Sequence, residues 1–228
     1  GTHTAGTIGA ASNNGVGVAG INWQSKILPV RVLGKCGGYM SDIIDGMLWS
    51  AGLPVTGVPA NPNPAKVINM SLGGAGTCGS TLQSAVNQIT AAGTTIVVSA
   101  GNENLNASGF TPANCTGVIT VAATSISGNR ASYSNYGSIV EISAPGGDTG
   151  NLVLSTWNTG KTSPLADSYV YMVGTSMAAP HVSGVASLLY SLNPNLTPAQ
   201  VLTYLQHSAT PFPAGGTCTT ANCGSGIV

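Results

Sequence analysis

The sequence predicts an α/β domain organised on a mostly parallel sheet. Two observations carry this. Short runs rich in Val, Ile and Thr alternate along the chain with stretches whose apolar residues recur at helical spacing, the pattern of strand–helix–strand crossovers. No internal repeat or low-complexity linker divides the 228 residues, which suffice for one large domain with a substantial core.

The elements follow in order. Gly1 to Ala10 is small and apolar, suited to a tightly packed helix. Ala11 to Gly20 is a Gly- and Asn-rich loop. Ser25 to Leu33 reads as a buried strand, and Gly34 to Gly38 as a loop. Ser41 to Ala51 places Ile43, Ile44, Met47, Leu48 and Ala51 at helical spacing, with Asp42 in the first turn. Gly52 to Pro64 holds four prolines and is a surface loop. Ala65 to Gly74 is a second strand ending in a glycine pair. Ser80 to Gly93 sets Leu82, Ala85, Val86, Ile89 and Ala92 on one helical face. Thr95 to Asn102 is a third strand running into a turn, and Val118 to Ala123 a fourth. Val182 to Tyr190 is apolar nearly all round and reads as a buried helix. Thr197 caps a last helix, Ala199 to His207, with Pro198 at its first position.

Composition narrows the function. Charged residues are 5% of the chain, six basic against six acidic, so no basic surface awaits nucleic acid and nothing favours electrostatic membrane binding. No apolar run approaches a membrane span. Surface polarity comes from Ser, Thr, Asn and Gly, which suits a secreted protein. The first residues read as internal, with no signal peptide. The cysteines are Cys36, Cys78, Cys115, Cys218 and Cys223, with no spacing that suggests zinc. A disulfide can close the short loop from Cys218 to Cys223. Cys36 and Cys78 each sit in Gly-rich loops and could pair with each other. That leaves Cys115 as a free thiol or, as favoured here, with a partner outside the chain. Disulfides imply an oxidising compartment.

Ser176 is the first candidate for chemistry. It stands in a tight Gly174-Thr175-Ser176 turn at the mouth of the apolar helix. A hydroxyl there faces unpaired backbone N–H groups and the positive end of the helix dipole. That suits a nucleophile beside which negative charge develops during acyl transfer. The bland alternative is a helix N-cap.

The longer string from Val173 to Gly184, with Gly-Thr-Ser-Met-Ala-Ala-Pro-His-Val-Ser-Gly within it, resembles the nucleophile motif of the subtilisin-like serine proteases, the subtilases. Further strings extend the resemblance from Gly1 to Val228, and the variants around Cys36 and Cys115 resemble the secreted, disulfide-bearing bacterial members. The resemblance implies a partial peptidase S8 catalytic domain over residues 1–228. Its fold would be three-layered, a mostly parallel sheet with helices on both faces, truncated at both ends. The activity implied is serine endopeptidase, acting on protein or peptide substrates as a monomer, with neither nucleic acid nor membrane as partner.

By the same resemblance Asn102, in Ala100-Gly101-Asn102, donates its amide to the oxyanion. Ser71, Leu72 and Gly73 form the edge that pairs with a peptide substrate by β-augmentation. Ala100 and Gly101 line the primary specificity pocket, and Leu33 and Tyr39 contribute further out. Broad specificity with some preference for apolar residues is implied. The loop carrying Ser12, Asn14, Val16 and Val18 matches a calcium loop, in which alternate carbonyls and an amide oxygen suit a hard cation. An upstream acidic ligand of that site is absent here.

One departure matters. In the family the catalytic His precedes Gly1 of the present motif by one residue, and the Asp lies further upstream. His3 matches the second histidine of the motif, one helical turn further on, and is expected to be a packed residue. His181, five residues past Ser176, lies roughly 140° around the helix and points away. The isolated chain is therefore expected to be inactive or nearly so. The rival class is a non-catalytic peptide-binding or partner-chain domain. An α/β-hydrolase esterase is excluded, because no Gly-x-Ser-x-Gly elbow surrounds Ser176.

Overall fold

Four parallel strands form the central sheet of the computed structural model, which describes residues 1–228. The elements in chain order are α1 (Thr2–Gly9), α2 (Met40–Ser50), β1 (Val67–Met70), β2 (Gly74–Ala75), α3 (Ser80–Ala91) and β3 (Thr95–Ser99). A short 3-10 turn (Ala107–Gly109) leads to β4 (Phe110–Thr111), β5 (Ile119–Thr124), β6 (Ile142–Pro145), β7 (Val153–Asn158) and β8 (Asp167–Met172). Two helices follow, α4 (Thr175–Leu192) and α5 (Pro198–Ser208). The sheet order is β1-β3-β5-β6, every neighbouring pair parallel.

Every residue of β3 and β5 is buried, which is why both are near-continuous runs of Val, Ile, Ala and Thr. Successive side chains point to opposite faces. Val97 packs with Val182 and Ala186 of α4 and Val201 and Leu205 of α5. Its neighbours Ile96 and Val98 pack with Ile43 and Met47 of α2 and Val86 and Ile89 of α3. Helices thus cover both faces, as expected. Each such Val or Ile contributes roughly 1.5–3 kcal/mol by leaving water. α5 starts with the expected cap, made reciprocal: Gln200 N–H donates to Thr197 Oγ1 (3.3 Å), and Thr197 N–H donates to Gln200 Oε1 (2.9 Å).

Three features depart from expectation. Ser25 to Leu33 is not a strand. Ser25 N–H reaches only back to the Asn22 carbonyl, residues 26–33 make no backbone hydrogen bond, and Ile27, Leu28 and Leu33 are 41%, 36% and 42% exposed. Val30 and Val32 pack on α2 at Gly46, so the β-branched residues have a packing role without a ladder. A strand needs a neighbour to bond, and composition cannot supply one.

The cysteine pairing is also different. Cys78 bonds to Cys115 and Cys218 to Cys223, leaving Cys36 free and exposed. The cause is the antiparallel ladder of β2 with β4, Gly74 opposite Thr111 and Ala75 opposite Phe110. That ladder carries Cys78 and Cys115 to a Cα separation of 5.2 Å.

Finally, β7 and β8 form an antiparallel hairpin that the polar sequence did not announce. It packs on α1 through Ser155 Oγ to the His3 carbonyl (2.8 Å) and Thr156 Oγ1 to the Thr2 carbonyl (3.0 Å).

Candidate active site

α4 begins at Gly174, whose φ of +149° lies outside the range an L side chain favours. Tyr133 holds this residue in place. Its hydroxyl accepts the Gly174 N–H (2.9 Å) and lies against the carbonyls of Gly146 (2.9 Å) and Gly147 (2.7 Å). Burial pushes the Tyr133 phenol well above its ordinary range, so it remains a donor.

Ser176 is the second residue of the helix and half-buried. Its carbonyl would normally accept from the residue four places on. That residue is Pro180, which has no N–H. The Ser71 hydroxyl fills the vacancy, donating to the Ser176 carbonyl at 2.8 Å. Ser71 in turn accepts from Asn69 Nδ2 (3.0 Å), and Asn69 Oδ1 accepts from the Ser183 hydroxyl (2.9 Å). A polar chain thus ties the end of β1 to α4 on either side of Pro180. The Ser176 hydroxyl itself has only a 3.5 Å contact with the Ser71 carbonyl, long for a hydrogen bond, and lines a cleft.

Asn102 lines the same cleft, of about 170 Å³, with Leu72, Gly73, Ala100 and Gly101. Its amide orientation is decided by Thr175. The Thr175 N–H (2.8 Å) and hydroxyl (2.9 Å) both meet Asn102 Oδ1, and the Thr175 hydroxyl oxygen accepts the Gly101 N–H (3.2 Å). A backbone N–H can only donate, so the atom facing it is oxygen and the Asn102 NH₂ is left free. Leu72 and Gly73 make no hydrogen bond to other backbone, which leaves their edge open. Leu33 and Tyr39 are not in this cleft. They line a separate groove of about 510 Å³ with Arg31, Cys36 and Asp42.

No histidine reaches Ser176. His3 is 2% exposed, with Nε2 3.0 Å from the Val153 carbonyl. His181 Nδ1 lies 2.8 Å from the Met177 carbonyl, and burial, with His3 nearby, lowers its pKa. His207 is exposed, with Nδ1 2.9 Å from the Thr203 carbonyl.

The loop with Ser12, Asn14, Val16 and Val18 leaves its backbone carbonyls without backbone donors. Its side chains are engaged locally. Asn14 Oδ1 accepts the Val16 N–H (3.0 Å), and Ser12 Oγ donates to the Ala10 carbonyl (2.8 Å) while accepting the Gly20 N–H (2.9 Å). No carboxylate belongs to the loop, and no cluster of three metal-ligating side chains occurs in the chain. The loop offers neutral oxygens with no carboxylate to balance the charge of the ion, so by itself it fits calcium poorly.

Thr175, Asn69, Ser183 and Pro180 were missed as site residues by sequence reasoning. Pro180 was the available signal, since a proline four residues after a serine frees that serine's carbonyl.

Comparison with known proteins places the chain in a family. The Subtilase family (peptidase S8) model matches residues 1–226. An "Extracellular protease" of Xanthomonas campestris is 53% identical over 229 aligned positions, covering 100% of this chain and 38% of the relative. An "Extracellular basic protease" of Dichelobacter nodosus is 50% identical, covering 93% of this chain and 35% of that protein. The chain thus spans little more than a third of these two relatives. Among solved structures, a protease from Pseudoalteromonas arctica superposes with a TM-score of 0.94 at 52% identity, covering 99% of this chain and 67% of that one. By its motifs, its sheet and helix arrangement, and the match along nearly its whole length, the chain belongs to the subtilase family.

Proposed function

We propose that the chain carries the nucleophile and the oxyanion donor of a secreted serine endopeptidase. The observation that carries the reading is one cleft shared by the Ser176 hydroxyl and the Asn102 amide, whose oxygen is pinned by Thr175 and whose NH₂ is free. Ser176 Oγ attacks the peptide carbonyl carbon. The Asn102 NH₂ and the Ser176 backbone N–H hold the developing oxyanion. A histidine base takes the hydroxyl proton and returns it to the leaving amine, and water then hydrolyses the acyl-enzyme. No histidine among the 228 residues is placed for that role, so the base, and the carboxylate that orients it, are supplied from outside them. The substrate lies along Ser71, Leu72 and Gly73, pairing by main-chain bonds, with Ala100 and Gly101 walling the primary pocket. Leu33 and Tyr39 meet residues further along the peptide, with apolar side chains preferred.

Secretion is part of this reading, supported by relatives named as extracellular and by the disulfides. No helix is long and apolar enough to cross a membrane. The acting form is a monomer, and its partner is a peptide. Calcium belongs to this proposal only with an acidic ligand from outside the chain, and no catalytic step depends on it.

A fluorophosphonate probe tests the reading. The chain alone should label weakly or not at all. Labelling should become strong, and map to Ser176 by mass spectrometry, once sequence bearing a histidine base is supplied ahead of Gly1. Strong labelling of the chain alone would reveal an internal base. Absence of labelling in the extended form would favour the second reading, a non-catalytic peptide-binding or partner-chain domain, which the lack of a histidine beside Ser176 supports.

A further inference from the structure

We infer that Asn135 is a positioning residue for the oxyanion donor Asn102, acting through the carboxylate of Glu103. Its catalytic consequence rests on the protease reading above; its geometric content does not.

Asn135 is fully buried in the turn between Ala131 and Gly137, 30 to 35 residues along the chain from the groups its side chain grips. Its Nδ2 donates to the Ala100 carbonyl (3.0 Å) and to Glu103 Oε2 (2.7 Å). Its Oδ1 accepts the N–H groups of Glu103 (3.0 Å) and Leu105 (2.9 Å). Its own N–H donates to the Gly101 carbonyl (3.0 Å). These contacts hold the chain on both sides of Asn102. Glu103 Oε2 completes the grip by accepting the Asn102 N–H at 2.8 Å.

The two anchors divide the work. Thr175 fixes the far end of the Asn102 side chain, and Asn135 with Glu103 fixes the backbone from which that side chain springs. An oxyanion donor must be held within roughly half an ångström, and a side chain tethered only at its tip does not meet that tolerance. The chemistry also explains the residue type. Only a primary amide offers two donors and a double acceptor in one plane. Aspartate at 135 would lose both donors and oppose the Glu103 carboxylate. Gly101 completes the fit: its φ is +105°, and a Cβ there would collide with Asn135 Nδ2.

The test compares the wild-type chain with Asn135→Ala and Glu103→Ala. Glu103 is exposed, so its variant keeps the fold even if Asn135→Ala does not. The first readout is amide hydrogen exchange on ¹⁵N-labelled protein. Asn135→Ala should speed exchange at Asn102 and Leu105 by about tenfold or more, the loss of one net hydrogen bond, while Val98 and Val121 stay unchanged. Glu103→Ala should speed Asn102 and spare Leu105. The second readout, made on the chain extended ahead of Gly1 with sequence bearing a histidine base, is the affinity of a peptide boronate, which mimics the tetrahedral adduct on Ser176, against the matching peptide amide. Asn135→Ala also loosens the carbonyl of the pocket-lining Ala100, so the reading is the ratio: the boronate should weaken about tenfold more than the amide, a fraction of the hundred- to thousandfold cost of deleting an oxyanion donor. Added to Asn102→Ala, it should cost nothing further in that ratio. Unchanged exchange at Asn102 in both variants, or full additivity with Asn102→Ala, overturns the inference. If the wild-type chain extended with a histidine base binds boronate no better than amide, the protease reading fails, and the exchange data on the chain itself still decide whether Asn135 positions the loop.

Discussion

Replacing Glu141 with glutamine should remove a liability at alkaline pH. Glu141 stands just before β6, with Oε2 accepting the Thr120 N–H at 2.6 Å. Burial pushes its carboxyl from the ordinary 4.5 up to about 7, and the Thr120 bond offsets this only in part. The folded state therefore prefers the protonated acid. Stability from this preference is fully present below pH 4.5, falls as pH rises from 4.5 to 7, and is gone above. The interval corresponds to roughly 3 kcal/mol. Glutamine keeps an acceptor for Thr120 and never ionises. Thermal melts of both proteins at pH 5 and pH 8.5 isolate the effect, because every other titrating group is common to them. Between the two pH values the wild type should lose roughly 2.5 kcal/mol relative to Glu141→Gln, the remainder of the interval having been lost already below pH 5. For 228 residues that is about 5–10 °C in Tm. An equal Tm difference at both pH values would mean that the carboxyl titrates normally, and the burial argument would be wrong.

Other expectations follow from the same structure. Ser71→Ala should cost about 1–3 kcal/mol by orphaning the Ser176 carbonyl, and denaturant melts should show that cost shrinking in the presence of Pro180→Ala, which restores an N–H at the helical position. His181 has the opposite pH sign to Glu141. Its folded pKa is lowered, so its contribution is present above pH 6.5 and is lost as pH falls, and His181→Asn should flatten the acid side of the Tm–pH curve. Opening Cys78–Cys115, which spans 37 residues, should cost about 4 kcal/mol, against about 2 for Cys218–Cys223, checked by melts of the paired Cys→Ser variants. Calcium at about 1 mM should leave the Tm of this chain within a degree, and a rise of several degrees would show that the loop from Ser12 to Val18 binds the ion unaided.

What could be read in advance was local. α3 and α5 were visible because their apolar spacing and cap residues lie within one window, and α4 because its opening string is long and distinctive. Even the vacancy under Ser176 was written locally, in the proline four residues on. What escaped depends on neighbours far along the chain. Lys26 to Leu33 has the composition of a strand but no backbone to bond, and β-propensity measures fit to a neighbour more than any intrinsic preference. Cys78 finds Cys115 because a two-residue ladder of β2 with β4 places them, and that ladder leaves no periodic trace.

Asn135 shows why the site is harder to read than the fold. Within its own segment it is an unremarkable turn residue, and nothing there names Asn102 as its concern. Its role exists only because Ala123 of β5 ties the 131–137 turn, through the Ala131 N–H and the Ser134 hydroxyl, beside the strand end from which the Asn102 loop departs. Ser176 and Asn102, the proposed nucleophile and oxyanion donor, are thus recognisable as residues, while the groups that hold them, Thr175, Ser71 and Asn135, are recognisable only as contacts. A variant at one of the latter should consequently alter the aim of the site without touching a reacting atom, and this separates their experimental signature from loss of Ser176 itself.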